Sequence, residues 1–329
     1  MDRVNKIRGM LTGVALGDAL GAPHEFRQSI PVKKYTGKLE FAPLIPSRFQ
    51  GTRYGVIGQV SDDTEMTLAL ANSLLDEGGY KRDSVIRAYE DWANSKPVGM
   101  GKNTRRLFHG VKTVKGYQQH YDKAMKEDLE TTQSNGSLMR ATPLALLIDP
   151  ETSVKEDVYL SNPNHINEEA AQIYVMMVAL ALRGADEEEI FKKVFEGFEN
   201  YSPYIQNVLR QIETFETRDL KENKGWVLHA LYAALLALKY YEERNDELYT
   251  VSINEVILRG GDTDTNAAIA GGLLGALIGY EQMSQEPDQK ENIDILMNAK
   301  TEGGSFPRPT LYHPGSIEGL SIKLAQQFP

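Results

Sequence analysis

The sequence predicts an all-α protein. Apolar residues recur at three- and four-residue spacing in the segments 5–20, 64–77, 83–95, 137–148, 167–183, 187–199, 203–214, 225–243 and 266–280, the period that turns one helix face to a core. Alternating runs that would mark half-buried strands are scarce; YTGKLEF and RYGVIGQV, in the region 35–60, are the best and are short enough for at most a small ribbon or an extended loop. Glycine recurs every four residues at 9, 13, 17 and 21 on the first segment and at 271, 275 and 279 on the last.

Each element has its own signal. Glycine costs a helix about 1 kcal/mol relative to alanine, so the ridge on 5–20 implies a return in packing, a bare strip on which another backbone can close. Ser61, Asp62 and Asp63 stand where the segment 64–77 begins, and Asn135, Gly136 and Ser137 open 137–148. In 83–95, 167–183, 187–199, 203–214 and 225–243 the more exposed stretches carry charges between the apolar positions. The last segment runs from Ala267 to Tyr280 without a charge, as a buried helix would, and its glycines let it lie beside the first at the centre. The charged stretches 117–134 and 216–224 read as surface loops or solvated helix ends, and the tail around Phe306, Pro307, Pro309 and Pro314 as a covering segment.

With 329 residues and 41% hydrophobic content, the chain can bury a large core, and no low-complexity linker divides it, so one domain over 1–329 is expected. A net charge of -10 and a pI near 5.2 argue against a nucleic-acid backbone or an anionic membrane surface as partner. Zero cysteines remove disulfides, zinc-thiolate sites and thiol catalysis together, leaving oxygen and nitrogen chemistry. The N-terminal apolar run, interrupted by Asp18 and too short to span a bilayer, leads to the expectation of a cytoplasmic, soluble protein, by default a monomer.

Two acidic stretches stand out: GQVSDDTEM at 58–66 and RGGDTDTNAA at 259–268. Capping is the simplest reading of each, since Asp62 with Glu65 three residues later resembles a capping box and acids favour helix N-termini. One cap needs one oxygen, however, and these stretches offer Ser61, Asp62 and Asp63 at one helix and Asp262, Asp264 and Thr265 at the other. Converging carboxylates repel unless a hard cation joins them through oxygen. Without cysteine or histidine in either motif, Mg²⁺ or Mn²⁺ is favoured over zinc or copper. Asp18, within the first helix, reads as a structural acid that caps or pairs with a base, or else supports the site from behind.

GDALGAPHEF at 17–26, VSDDTEM at 60–66, NGSLMR at 135–140 and GGDTDTNAA at 260–268 together resemble the ordered signature of the ADP-ribosylglycohydrolases. The resemblance spans nearly the whole chain. It implies a compact single-domain orthogonal helical bundle, a central cleft with two Mg²⁺ ions (or Mn²⁺), and hydrolysis of an ADP-ribosyl bond. By position it implies Ser61, Asp62, Asp63, Asp262, Asp264 and Thr265 as metal ligands, Ser61 keeping the hydroxyl of a more usual threonine, and Glu25 as the active-site glutamate. The catalytic set is then Glu25, Asp63 and Asp264. GMGKNT, by itself more readily a plain turn, falls where the family carries a diphosphate loop, so the resemblance implies Gly99, Gly101, Asn103 and Thr104 as substrate-binding residues, with Asn135, Gly136 and Ser137 on the phosphates or distal ribose. Asn162 stands where many members carry a histidine, and His165 is displaced along the chain. Arg140 is a partner for a carboxylate near the site or a helix-surface residue.

The expected reaction is metal-assisted hydrolysis at C1 of the ribose distal to adenine, releasing ADP-ribose from an arginine-linked protein adduct. A small ADP-ribosylated metabolite or nucleobase is the alternative substrate. A non-catalytic ADP-ribose binder on the same fold is the alternative class.

Overall fold

In the computed structural model, residues 2–25, 55–242 and 248–329 are described. They form α1 (Arg3–Gly21), α2 (Asp62–Glu77), α3 (Arg82–Asn94), α4 (Lys102–Phe108), α5 (Val114–Glu127), α6 (Glu151–Tyr159), α7 (His165–Arg183), α8 (Glu187–Glu196), α9 (Pro203–Glu213), α10 (Val227–Glu242), α11 (Leu248–Leu258), α12 (Thr263–Ile278), α13 (Tyr280–Met283), α14 (Pro287–Asn298) and α15 (Ile317–Gln327), with short 3₁₀ turns between them. No strand occurs among the described residues, only an isolated bridge between Ser134 and Trp226. YTGKLEF lies outside those residues; in RYGVIGQV, residues 55–60 form a turn rather than a strand.

The glycine ridges meet. α1 and α12 run antiparallel, Gly9 facing Gly275, Gly13 facing Gly271, Gly17 facing Ala267 and Gly21 facing Thr263. A Cβ built on any of those four α1 glycines would overlap a backbone carbonyl oxygen of α12, which is why the ridge carries no side chains. Every residue of α12 is buried, enclosed by α1, α7, α10 and α11. Two buried tyrosines reach this pair: Tyr249 Oη donates to the Gly13 carbonyl at 2.6 Å and Tyr174 Oη to that of Ile269 at 2.9 Å. These hydroxyls thereby satisfy their own hydrogen bonding within the core.

Three sequence expectations are corrected. The segment 137–148 is two 3₁₀ turns, Asn135–Ser137 and Thr142–Leu146, because Pro143 offers no amide and its ring would crowd the carbonyl four residues earlier in an α-helix. The charged stretch 117–134 holds most of α5, capped by Thr113 Oγ1 accepting from the Gly116 amide; its buried face rests on Tyr117 and Ala124, too thin a stripe to stand out among charges. Besides α5, the helices α4, α6, α11, α13, α14 and α15 fall outside the predicted segments, α13 but for its first residue. The stretch 216–224 is non-helical, and the tail does cover the body, Phe306 and Arg308 being buried.

Gly17→Ala should lower the stability to urea unfolding by about 1–3 kcal/mol or more from overpacking, although alanine is the better helix former by about 1 kcal/mol. A neutral or stabilising result would show that the helices do not depend on backbone contact at that point.

Candidate active site

Antiparallel packing brings the C-terminal end of α1 to the N-terminal end of α12, where Thr263 Oγ1 donates to the Gly21 carbonyl at 2.7 Å. One 3₁₀ turn beyond, Glu25 stands beside Asp262 and Asp264, with carboxylate oxygens of the three within 4.8 Å of one another. Gly260 and Gly261, at φ 75° and 84°, make the turn into α12, and a side chain on Gly261 would also overlap the Leu220 carbonyl. Asp262 is the N-cap residue of α12 but makes no capping bond through its side chain; its Oδ2 instead accepts from Asn135 Nδ2 at 2.8 Å.

The acidic stretch at the start of α2 is organised from a distance. Asp18, fully buried, accepts from the Ser61 amide at 2.9 Å, the Thr64 amide at 3.1 Å and Thr64 Oγ1 at 2.6 Å. It therefore caps α2 from another helix and releases Asp62 and Asp63 from that task. The capping box expected of Asp62 and Glu65 is not formed; Glu65 accepts instead from Trp92 Nε1 and from Arg308. Asp62 Oδ2 accepts from the Gly101 amide at 3.3 Å, and a Cβ on Gly99 would come to 2.8 Å from Asp62 Oδ1. Asp63 Oδ2 accepts from Ser61 Oγ at 3.0 Å, while its buried Oδ1 has no hydrogen-bond partner.

These carboxyls are held away from their ordinary acidity. Burial, with Asp18 and Asp262 adding negative charge, pushes Asp62 up to about 6. Asp63 is raised well above the usual range by burial and then by Asp18 and Asp62. Asp264 is raised well above it by burial and then by Glu25 and Asp262. Asp18 and Asp262 are also raised by burial, against the hydrogen bonds they accept. Gathered acids of this kind favour protons or a cation. An all-oxygen donor set with an orphaned buried carboxylate oxygen at Asp63 suits a hard divalent cation, whose usual ligands are carboxylates and hydroxyls.

The two acidic helix starts open on one cleft of about 500 Å³, to which Glu25, Ser61, Asp62, Asp262, Asp264 and Thr265 contribute together with Gly99, Gly101, Asn103, Thr104, Asn135, Gly136 and Asn162. Of the predicted site residues, Asp63 and Ser137 do not line it. Asp63 is buried beside Ser61, and Ser137 is fully buried, its Oγ within 3.3 Å of the Asn167 amide. Asn162 directs its amide nitrogen to the Ser134 carbonyl and hydroxyl, and its Oδ1 accepts from Ser161 Oγ; it braces the 134–136 turn. His165 is exposed at the start of α7, 3.9 Å from Glu169.

Arg140 pairs with a carboxylate behind the cleft, Asp157, rather than with the acids that line it, and is not a surface residue. It is fully buried, with Nε 3.0 Å from Asp157 Oδ2, and Nη1 donates to the Gly136 carbonyl at 2.8 Å and Ser161 Oγ at 3.0 Å. Its role is to support the turn that carries Asn135. The supports missed in the sequence are Asp157 and Arg308, which have no local signal. Asp18 has one, an acid on an otherwise apolar, glycine-ridged helix, and Arg140 another, a base within NGSLMR.

No helix among the described residues is long and apolar enough to cross a membrane. The profile of the ADP-ribosylglycohydrolase family matches residues 1–294. The chain is 28% identical to ADP-ribosylarginine hydrolase Tri1 of Pseudomonas putida, over 86% of this chain and 73% of that protein. It is 26% identical to the ADP-ribosyl-[dinitrogen reductase] glycohydrolase of Rhodospirillum rubrum, over 88% of this chain and 94% of that one. A solved structure described as an ADP-ribosylglycohydrolase-related protein complex shares the fold, with a TM-score of 0.71 at 22% identity and 99% of each chain covered.

Two outcomes follow from this geometry. Gly99→Ala should press on Asp62 Oδ1 and weaken Mn²⁺ binding, followed by calorimetry, at least tenfold with little change in melting temperature; unchanged affinity would dissociate the glycine from the acid. The second concerns pH. Folded carboxyl groups raised above their unfolded values, such as Asp62 at about 6 against roughly 3.9 unfolded, stabilise the metal-free fold fully below the unfolded value and lose that contribution as pH rises through the folded one. The gain in melting temperature on adding Mg²⁺ to chelator-treated protein should therefore grow between pH 5 and pH 7, and a pH-independent gain would contradict it.

Proposed function

Since the chain belongs to the ADP-ribosylglycohydrolase family, hydrolases of glycosidic bonds, we propose that it releases ADP-ribose from a modified protein side chain, with arginine as the favoured acceptor. The bond cut would be that at C1 of the ribose distal to adenine. One observation carries the reading: the Glu25, Asp262 and Asp264 carboxylates gathered within 4.8 Å, on a cleft that also holds Ser61, Asp62 and Thr265. The arginine preference rests on the name of the Pseudomonas putida relative.

Ser61, Asp62, Asp63, Asp262, Asp264 and Thr265 would hold two divalent cations, Mg²⁺ or Mn²⁺. When bound, such ions supply positive charge that orients ribose hydroxyls and acidifies an attending water. The chain's own residues do the rest. Asn135 and the Gly101 amide hold Asp262 and Asp62 in fixed orientations, so the acids do not have to reorganise as substrate binds. The amide-rich stretch from Gly99 to Thr104 and the Asn135–Gly136 turn offer donors to the diphosphate.

Glu25, beside the acid pair at the cleft, is positioned to accept a proton from the attacking water at a carboxylate oxygen. As the C1–N bond to the arginine guanidine breaks and the C1–O bond forms, that proton is available for the departing nitrogen. The flanking carboxylates stabilise the oxocarbenium-like charge that develops at the sugar. Holding the ribose in one orientation supplies a further part of the acceleration.

The test is release of free ADP-ribose from an arginine-ADP-ribosylated protein with Mg²⁺, Mn²⁺ or chelator. Release should need metal and fall at least a hundredfold in Asp262→Asn. Release that survives chelation would refute the metal-assisted reading, and turnover only of serine-linked or small-molecule adducts would move the substrate.

A further inference from the structure

Arg308 lies beyond the family match, which ends at residue 294, yet it is buried against the acid-bearing end of α2. Its Nε donates to Glu65 Oε1 at 2.6 Å and its Nη2 to Glu65 Oε2 at 2.8 Å, a two-pronged pair of the kind that fixes orientation as well as distance. Glu65 is itself fixed, accepting from Trp92 Nε1 at 2.7 Å. The same guanidinium reaches a second strip of chain, donating through Nη1 to the Ser95 carbonyl at 2.7 Å and through Nη2 to Ser95 Oγ at 2.7 Å.

Ser95 is where α3 ends and the cleft wall begins. The next residue, Lys96, has φ 62°, a left-handed conformation that a lysine holds only when its surroundings impose it. Val98, Gly99 and Gly101 then line the cleft. Two residues before Arg308, Phe306 packs on Val98 and Ala22, both at the cleft. The Phe306 carbonyl accepts from Gln59 Nε2 at 2.8 Å, just ahead of Ser61. The tail thus joins, from behind, the strip that carries Ser61 to Asp63 and the strip that carries Gly99 and Gly101.

We infer that Arg308 is a positioning residue of this cleft, the clamp by which the C-terminal tail sets the 95–101 wall against the acid-bearing end of α2. Four charge-assisted hydrogen bonds from one side chain to two chain strips go beyond what a covering segment requires. Their joint effect is to hold the Gly101 amide where it meets Asp62. Loss of the clamp should loosen the wall while leaving the α1–α12 core intact. The consequence for ligand affinity rests on the ADP-ribose reading above; the consequence for the wall itself does not.

The test uses the full chain with Arg308→Met and with the double variant Glu65→Gln plus Arg308→Met. The single variant leaves a buried carboxylate without its cation and should melt at a lower temperature. The double variant removes that unpaired charge and should recover most of the loss, but it cannot restore the tether to Ser95. In the double variant, backbone amides between Lys96 and Gly101 should exchange with deuterium at least tenfold faster, with protection in α12 unchanged. ADP-ribose, titrated in Mg²⁺, should bind at least tenfold more weakly, and KM should rise more than kcat falls.

Wild-type protection at 96–101 in the double variant would overturn the clamp. So would faster exchange accompanied by ADP-ribose affinity and KM within twofold of wild type. If the wild-type protein itself failed to bind ADP-ribose, the functional reading would fall and the exchange result alone would decide the clamp.

Discussion

The backbone contact between α1 and α12 is the constraint on which the rest of the structure depends. Glycines at four-residue intervals let two helices approach until carbonyl oxygens of one sit where the β-carbons of the other would be. Such proximity has only one satisfactory register, because sliding either helix by a residue drives a side chain into a backbone. The register places Glu25, just beyond the end of α1, beside Asp262 and Asp264 at the start of α12. A pair of helices that meets along a strip of bare backbone thus sets the distances within a cluster of acids.

The cost of that cluster is electrostatic. Burial raises each of Asp18, Asp62, Asp63, Asp262 and Asp264, and the fold relieves part of this by distributing donors among them. Asp18 takes two amides and a hydroxyl, Asp262 an asparagine amide, and Asp62 a backbone amide. Asp63 keeps one buried oxygen with no partner. Donors so placed leave the acids oriented while their negative charge is only partly compensated, the condition under which binding a cation stabilises the folded state.

Around the acids, buried ion pairs hold the loops that line the cleft. Arg140 with Asp157 braces the Asn135–Gly136 turn, and Arg308 with Glu65 braces the wall after Ser95. Buried pairs add little net stability compared with apolar packing. Arginine is nevertheless suited to this work, since its planar fork can bind a carboxylate and a neighbouring carbonyl at once. The loops that line the cleft are thereby fixed without being made of regular secondary structure.

The sequence by itself determined the helical class, through apolar residues at helical spacing, and the two acidic helix starts, through more oxygen donors than a cap can use. It also determined the glycine ridges, whose repetition has no local justification. Tertiary structure alone decided which donors meet which acids. Asp18 caps α2 although 43 residues separate it from Ser61, Glu65 turns from a local cap to Arg308, 243 residues away, and Glu25 joins a turn more than 200 positions later. Local pattern also misjudged 137–148, where one proline outweighs the apolar period, and α5, where the buried stripe is thin. The physical reason is common to these cases. Hydrophobic periodicity is a property of a single helix, whereas the pairing of buried polar groups depends on how helices are packed, and that is settled only when the chain closes on itself.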